Sequence, residues 1–139
     1  MATAREIMSQ GAHTAREDQS VVDAAALMRD HGIGALPVVG QDGSLTGIVT
    51  DRDIAVGAVA DGRSLGEMRV GELAQGIVST VRADEDVERI VDTMGDQQIK
   101  RLPVMDGDQV IGMISESDLA RNVAEDKIVH FVKMVYGRG

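Results

Sequence analysis

Cysteine and tryptophan are absent from the 139-residue chain, and its aromatic content stops at Phe131 and Tyr136. Without cysteine there is no disulfide framework, no thiolate nucleophile and no Cys-ligated zinc. Without aromatic platforms there is little on which bases could stack, and a net charge of -9 repels a polyanion. No nucleic-acid partner is expected. Long apolar runs are missing too: none approaches the roughly 20 residues needed to span a bilayer. The opening MATAREIMSQ is polar and mixed in charge, unlike a secretory signal. The expectation is a cytoplasmic chain with no membrane partner. Catalytic signatures are lacking as well, with no G-x-x-x-x-G-K-[ST], no G-x-S-x-G and no evident acid/base pair. No catalytic residues are assigned, and the chain is not expected to be an enzyme. His13, His31 and His130 stand at no i, i+3 or i+4 spacing, so each reads as a surface histidine and no metal site is assigned.

What is present is 43% hydrophobic and 27% charged, the balance of a folded protein whose core is Val, Ile, Leu, Met and Ala. The length fits one domain or two very small ones. An internal repeat organises it. A shift of 66 positions lays Ala4–Ile7 on Val70–Leu73, Thr14-Ala15-Arg16 on Thr80-Val81-Arg82, Met28 on Met94 and Leu36-Pro37-Val38 on Leu102-Pro103-Val104. The two prolines of the chain thereby coincide. After one deletion in a Gly/Asp turn, the run from Gly47 to Ala55 matches the run from Gly112 to Ala120.

Each copy reads as strand, helix, strand, strand, helix. A short β-prone piece, 13–16 or 79–82, precedes a helix; in the second copy Val87, Ile90, Val91 and Met94 form an amphipathic stripe. The first-copy helix, 21–28, is apolar on more than one face, the mark of a helix with a second contact. Strands over 36–39 and 45–50 flank a hairpin signal, Gly40-Gln41-Asp42-Gly43-Ser44; strands over 102–105 and 110–115 flank Asp106-Gly107-Asp108. A further helix starts at Thr50 or Ser115. Residues 61–68 read as a polar linker, Gly32 and Gly34 as a helix stop. In the tail, Ile128, Phe131, Val132 and Val135 have helical spacing, with apolar surface to dock.

The chemistry concentrates in Thr50-x-x-Asp53 and Ser115-x-x-Asp118. A hydroxyl and a carboxylate one helical turn apart and facing outward can grip a ribose, the carboxylate accepting two vicinal hydroxyls. A helix start adds free N–H groups for an anion. The same spacing is also that of a capping box, in which the pair bonds only to its own helix. Ser20-x-x-Asp23 shows it with no ligand implied. Spacing alone leaves both readings open.

The paired LPVV and LPVM strands, with GIVTDRDIA and GMISESDLA, resemble the CBS (cystathionine-β-synthase-type) motif pair, or Bateman module, over about residues 4–125. The whole chain is similar to the small stand-alone actinobacterial CBS-pair proteins of the hypoxic response protein type. Those relatives can carry cysteines near the tail; this chain has none, and no redox behaviour is carried over. The resemblance implies an α/β tandem pair with pseudo-twofold symmetry: CBS motif 1 at 4–62, CBS motif 2 at 70–125 and a C-terminal helical tail at 126–139. It implies a regulatory ligand containing adenosine (AMP, ADP, ATP or S-adenosylmethionine), with no cofactor required. It further implies crossed clefts, Thr50, Arg52 and Asp53 with Thr80, Lys100, Arg101 and Val104, and Ser115 and Asp118 with Thr14, Gly34, Ala35 and Val38. The first cleft carries the cations for phosphate and is expected to bind more tightly. The expected assembly is a homodimer through the helix 22–28 and the segment 54–60, acting on an unknown protein partner. The alternative is a ligand-free structural or protein-interaction module associated with stress response.

Overall fold

Neither repeat folds on its own lead-in. The computed structural model describes residues 2–10, 13–76 and 79–137. The chain begins with α1 (Ala4–Ile7) and β1 (Ser9–Gln10); the first repeat continues with β2 (Ala15–Arg16), α2 (Val21–His31), β3 (Ala35–Val39), β4 (Leu45–Thr50) and α3 (Asp51–Ile54), which runs into a π-helical segment, Ala55–Val59. The second repeat brings α4 (Val70–Leu73), β5 (Gln75–Gly76), β6 (Val81–Arg82), α5 (Val87–Gln97), β7 (Arg101–Asp106), β8 (Gln109–Ser115) and α6 (Glu116–Asn122), followed by α7 (Glu125–Tyr136). One compact unit is built from 13–76 and the other from 2–10 with 79–137.

The unit of 13–76 has the sheet β2-β3-β4-β5. The β2–β3 pair is parallel, with α2 as its crossover, and the other pairs are antiparallel. Val21, Ala24 and Met28 are the buried side of α2, and all five residues of β3 are buried. Gly32 caps α2 in the left-handed region (φ 62°), the helix stop read from sequence. In the hairpin turn Asp42 Oδ1 accepts from Ser44 N–H and Oγ, which holds the Asp42 carboxyl below its ordinary value. The segment 61–68 is more than a linker. Met68 is buried with Val21 and Ala58, and its carbonyl accepts the Val21 N–H at 2.9 Å.

The other unit repeats the plan with the sheet β1-β8-β7-β6. Val87, Ile90, Val91 and Met94 are all buried, as their spacing demands. The tail helix α7 belongs to this core. Phe131 is 2% exposed, and Gly95 of α5 lies where a Cβ would stand 3.6–3.8 Å from Met134 and Phe131, so the two helices meet closely without strain. Gln98, capping α5 at φ 56°, donates its side-chain amide to the Met134 carbonyl at 3.0 Å.

Two glycines admit the exchanged lead-ins. A Cβ on Gly47 would stand 2.6 Å from the Gln75 carbonyl oxygen, and one on Gly112 would stand 2.9 Å from that of Ser9. Only glycine lets β5 and β1 lie so close against β4 and β8.

Candidate functional site

Thr50 and Ser115 end the last strand of each hairpin and open the helix that follows. At α3 the box is reciprocal: Asp53 N–H donates to Thr50 Oγ1 at 3.1 Å, and Thr50 N–H donates to Asp53 Oδ2 at 2.9 Å. Capping, one of the two readings of the spacing, is therefore a fact of this helix. It does not exhaust the carboxylate. Asp53 is half-buried, and its Oδ1 accepts one bond, from the uncharged Gln75 Nε2 at 2.8 Å. That oxygen has a second lone pair for another donor.

At α6 the same residue types behave differently. Asp118 Oδ2 accepts from Ser115 N–H at 2.9 Å and Ser115 Oγ at 3.1 Å, with Ser9 Oγ at 3.5 Å. Its Oδ1 accepts from Arg121 Nη2 at 2.6 Å. The Asp118 side chain is 3% exposed. The spacing predicts both carboxylates facing outward; Asp118 instead faces into its own unit. The reason is partnership. A buried carboxylate needs its lone pairs and its charge matched, and the serine, β1 and Arg121 do both. The Ser115 hydroxyl is also shared with Ser117 Oγ at 2.9 Å.

The remaining expected residues fall as follows. Val38 and Val104 are wholly buried, each in the core of its own unit. Thr14 is half-buried and Thr80 exposed. Gly34 is half-buried, and Ala35, at the edge of burial, pairs in register with Thr50. Arg101 is half-buried and pairs in register with Ser115. Lys100 and Arg52 are exposed, and the Lys100 ammonium stands 4.7 Å from the centroid of the Tyr136 ring, a cation–π contact that the sequence did not announce. Tyr136 in turn donates its hydroxyl to the Glu116 carboxylate at 2.8 Å, tying α7 to α6.

The histidines add nothing to the Thr/Asp sites. His13 and His31 are exposed, and their rings stack at 3.6 Å. Among the described residues no three metal-ligating side chains converge. An open groove of about 550 Å³ in the unit of 79–137 is lined by Arg5, Arg82, Asp84 and Asp106, among others. Its charges are already paired, Arg5 with Asp106 at 3.1 Å and Arg82 with Asp84 at 3.5 Å. No helix among the described residues is long and apolar enough to cross a membrane.

Two β-α-β-β-α units, each with a hydroxyl and a carboxylate at the strand-to-helix junction, define a CBS pair, a family of regulatory modules. The CBS domain model matches residues 4–57 and 70–125, and the chain belongs to that family. It is 38% identical over 135 residues to Hypoxic response protein 1 of Mycobacterium tuberculosis, covering 97% of this chain and 94% of that protein. A crystal structure of Hypoxic Response Protein I with two coordinated zinc ions matches at a TM-score of 0.78 and 36% identity, over 88% of this chain and 100% of that one. The CBS domain pair of protein MJ0100, in complex with methylthioadenosine and S-adenosyl-L-methionine, matches at a TM-score of 0.76 and 30% identity, over 87% of this chain and 94% of that one.

Proposed function

We propose that the chain is a regulatory sensor that binds an adenosine-containing nucleotide (AMP, ADP, ATP or S-adenosylmethionine), with the ribose on Thr50 and Asp53. It acts as a homodimer on a protein partner. The observation that carries this is the Asp53 carboxylate. It is fixed by its capping box, half-buried, and bonded only to neutral donors, which leaves acceptor capacity for a vicinal diol. The adenosine ligands of the related MJ0100 pair support the ligand class. Arg52, Lys100 and Arg101 are proposed as the phosphate cations. Arg101→Ala should then weaken ATP more than adenosine, because a charge-assisted bond to phosphate is lost. No catalytic step is assigned to the module.

The dimer reading rests on apolar surface in the unit of 13–76. Val22 is 47% exposed, Val56 52% and Val59 57%, and the segments that carry them are those singled out by composition. The same surface supports the second reading, a ligand-free interaction protein whose Thr/Asp pairs serve only as caps. A melt separates the two. A ligand that binds only the folded chain adds RT ln(1 + [L]/Kd), about 2.7 kcal/mol at a hundredfold excess over Kd. Thermal shift with AMP, ADP, ATP and S-adenosylmethionine should raise Tm by several degrees for at least one of them. No shift with any of the four, at millimolar concentration, leaves the interaction protein as the function.

A further inference from the structure

Among the hydrogen-bond partners of the two carboxylates, one is charged, and it stands at Asp118. Extending the repeat alignment by one residue sets Val56 of the first copy against Arg121 of the second. Gln75 and Ser9 are likewise equivalent, and each sends a polar side chain to the carboxylate of its unit. The partner three residues along the helix is therefore what distinguishes the two carboxylates. Asp53 has a valine there; Asp118 has a guanidinium at 2.6 Å.

We infer that Arg121 closes the second site, so that the chain takes one nucleotide, on Asp53, and none on Asp118. The inference rests on the nucleotide reading above and adds to it the stoichiometry and the residue that sets it. For a ribose to reach Asp118, its hydroxyl must take Oδ1 from Arg121. That exchanges a bond between two opposite charges for one from an uncharged hydroxyl. It also strips a buried carboxylate of its countercharge. Oδ2 offers no easier approach, since Ser115 N–H and Oγ occupy it. At Asp53 the competing donor is a neutral, exposed amide, and a diol can share or displace it without loss of charge pairing. The Arg121 side chain is 64% exposed, so the guanidinium covers the carboxylate from outside and its removal uncovers it.

Calorimetric titration with AMP and ATP reads this directly. The wild-type chain should bind one nucleotide per chain, and Asp53→Ala should abolish it. Arg121→Val, which installs the residue found at the equivalent position of the first copy, should raise the count to two. Arg121→Lys, which keeps the countercharge, should leave it at one. Two nucleotides on the wild-type chain, one of them surviving in Asp53→Ala, overturns the closure and leaves the nucleotide reading intact, whereas a single nucleotide that Asp53→Ala leaves bound overturns both. An Arg121→Val chain that still binds one also overturns it. Should that variant not fold, the Asp53→Ala titration decides alone. No heat from the wild-type chain or from Arg121→Val removes the nucleotide reading itself, and the closure with it.

Discussion

Asp53 and Asp118 occupy the same place in the repeat, yet their surroundings give them different work. Asp118 satisfies the Ser115 N–H and hydroxyl from a buried position and is charge-paired by Arg121. Removing it leaves the half-buried Ser115 N–H without its acceptor and Arg121 without its countercharge. Asp118→Ala should cost about 2–4 kcal/mol in urea unfolding. Asp53→Ala removes mainly half of a capping box on a half-buried helix start, so it should cost about 1 kcal/mol. Equal losses at the two positions would contradict the asymmetry. Gly32 makes a cleaner residue-scale case. A Cβ there meets nothing within 4 Å, so only its positive φ opposes substitution. Gly32→Ala should destabilise by about 1–2 kcal/mol from backbone strain alone. The sequence showed the Thr/Asp pairs and the helix stop, since these are local patterns. It could not show the burial of Asp118, because Ser9 joins that cluster from 109 positions away.

At the scale of elements, the helices and hairpins were legible because periodicity and turn residues are written locally. The α5 stripe is buried residue for residue, and the strands extend at most a residue beyond their expected ends. The lead-in exchange was not legible. Four-residue helices such as α1 and α4 carry no period, and the placement of β1 and β5 depends on close approach at Gly112 and Gly47 rather than on their own sequence. The π-helical segment was hidden for a similar reason. Gly57 within it packs against α4, where a Cβ would stand 2.9 Å from Leu73 Cδ2, a contact that no local pattern announces. Tail docking was legible, and it is testable. Phe131→Ala should destabilise by about 3–5 kcal/mol, and the amides of α7 should then exchange as fast as those of an unstructured peptide. The start of α4 brings a pH dependence. Its Glu72 carboxyl is held below the ordinary value by the Arg69 N–H and then by Arg63. A lowered folded-state value gives a contribution that is complete above the unfolded value and disappears as pH falls through the folded one. Glu72→Gln should therefore flatten the acid limb of the stability profile and leave its alkaline side unchanged.

For the whole molecule, the exposed valines and the Asp53 site belong to the same unit, and they make separate demands. Val59→Glu places a charge in the apolar surface of Val22, Val56 and Val59. Under the dimer reading it should turn a species of twice 14.8 kDa into one of 14.8 kDa in sedimentation at micromolar concentration. A wild-type chain that sediments only as a monomer contradicts that reading. The nucleotide claim is the more central of the two, because a sensor without a ligand senses nothing. Its most direct measurement is equilibrium dialysis of the wild-type and Asp53→Ala chains against radiolabelled ATP and S-adenosylmethionine. At least one of them should bind the wild-type chain saturably, and that binding should be lost in Asp53→Ala. Binding that Asp53→Ala leaves unchanged, or none to the wild-type chain, would contradict the nucleotide claim.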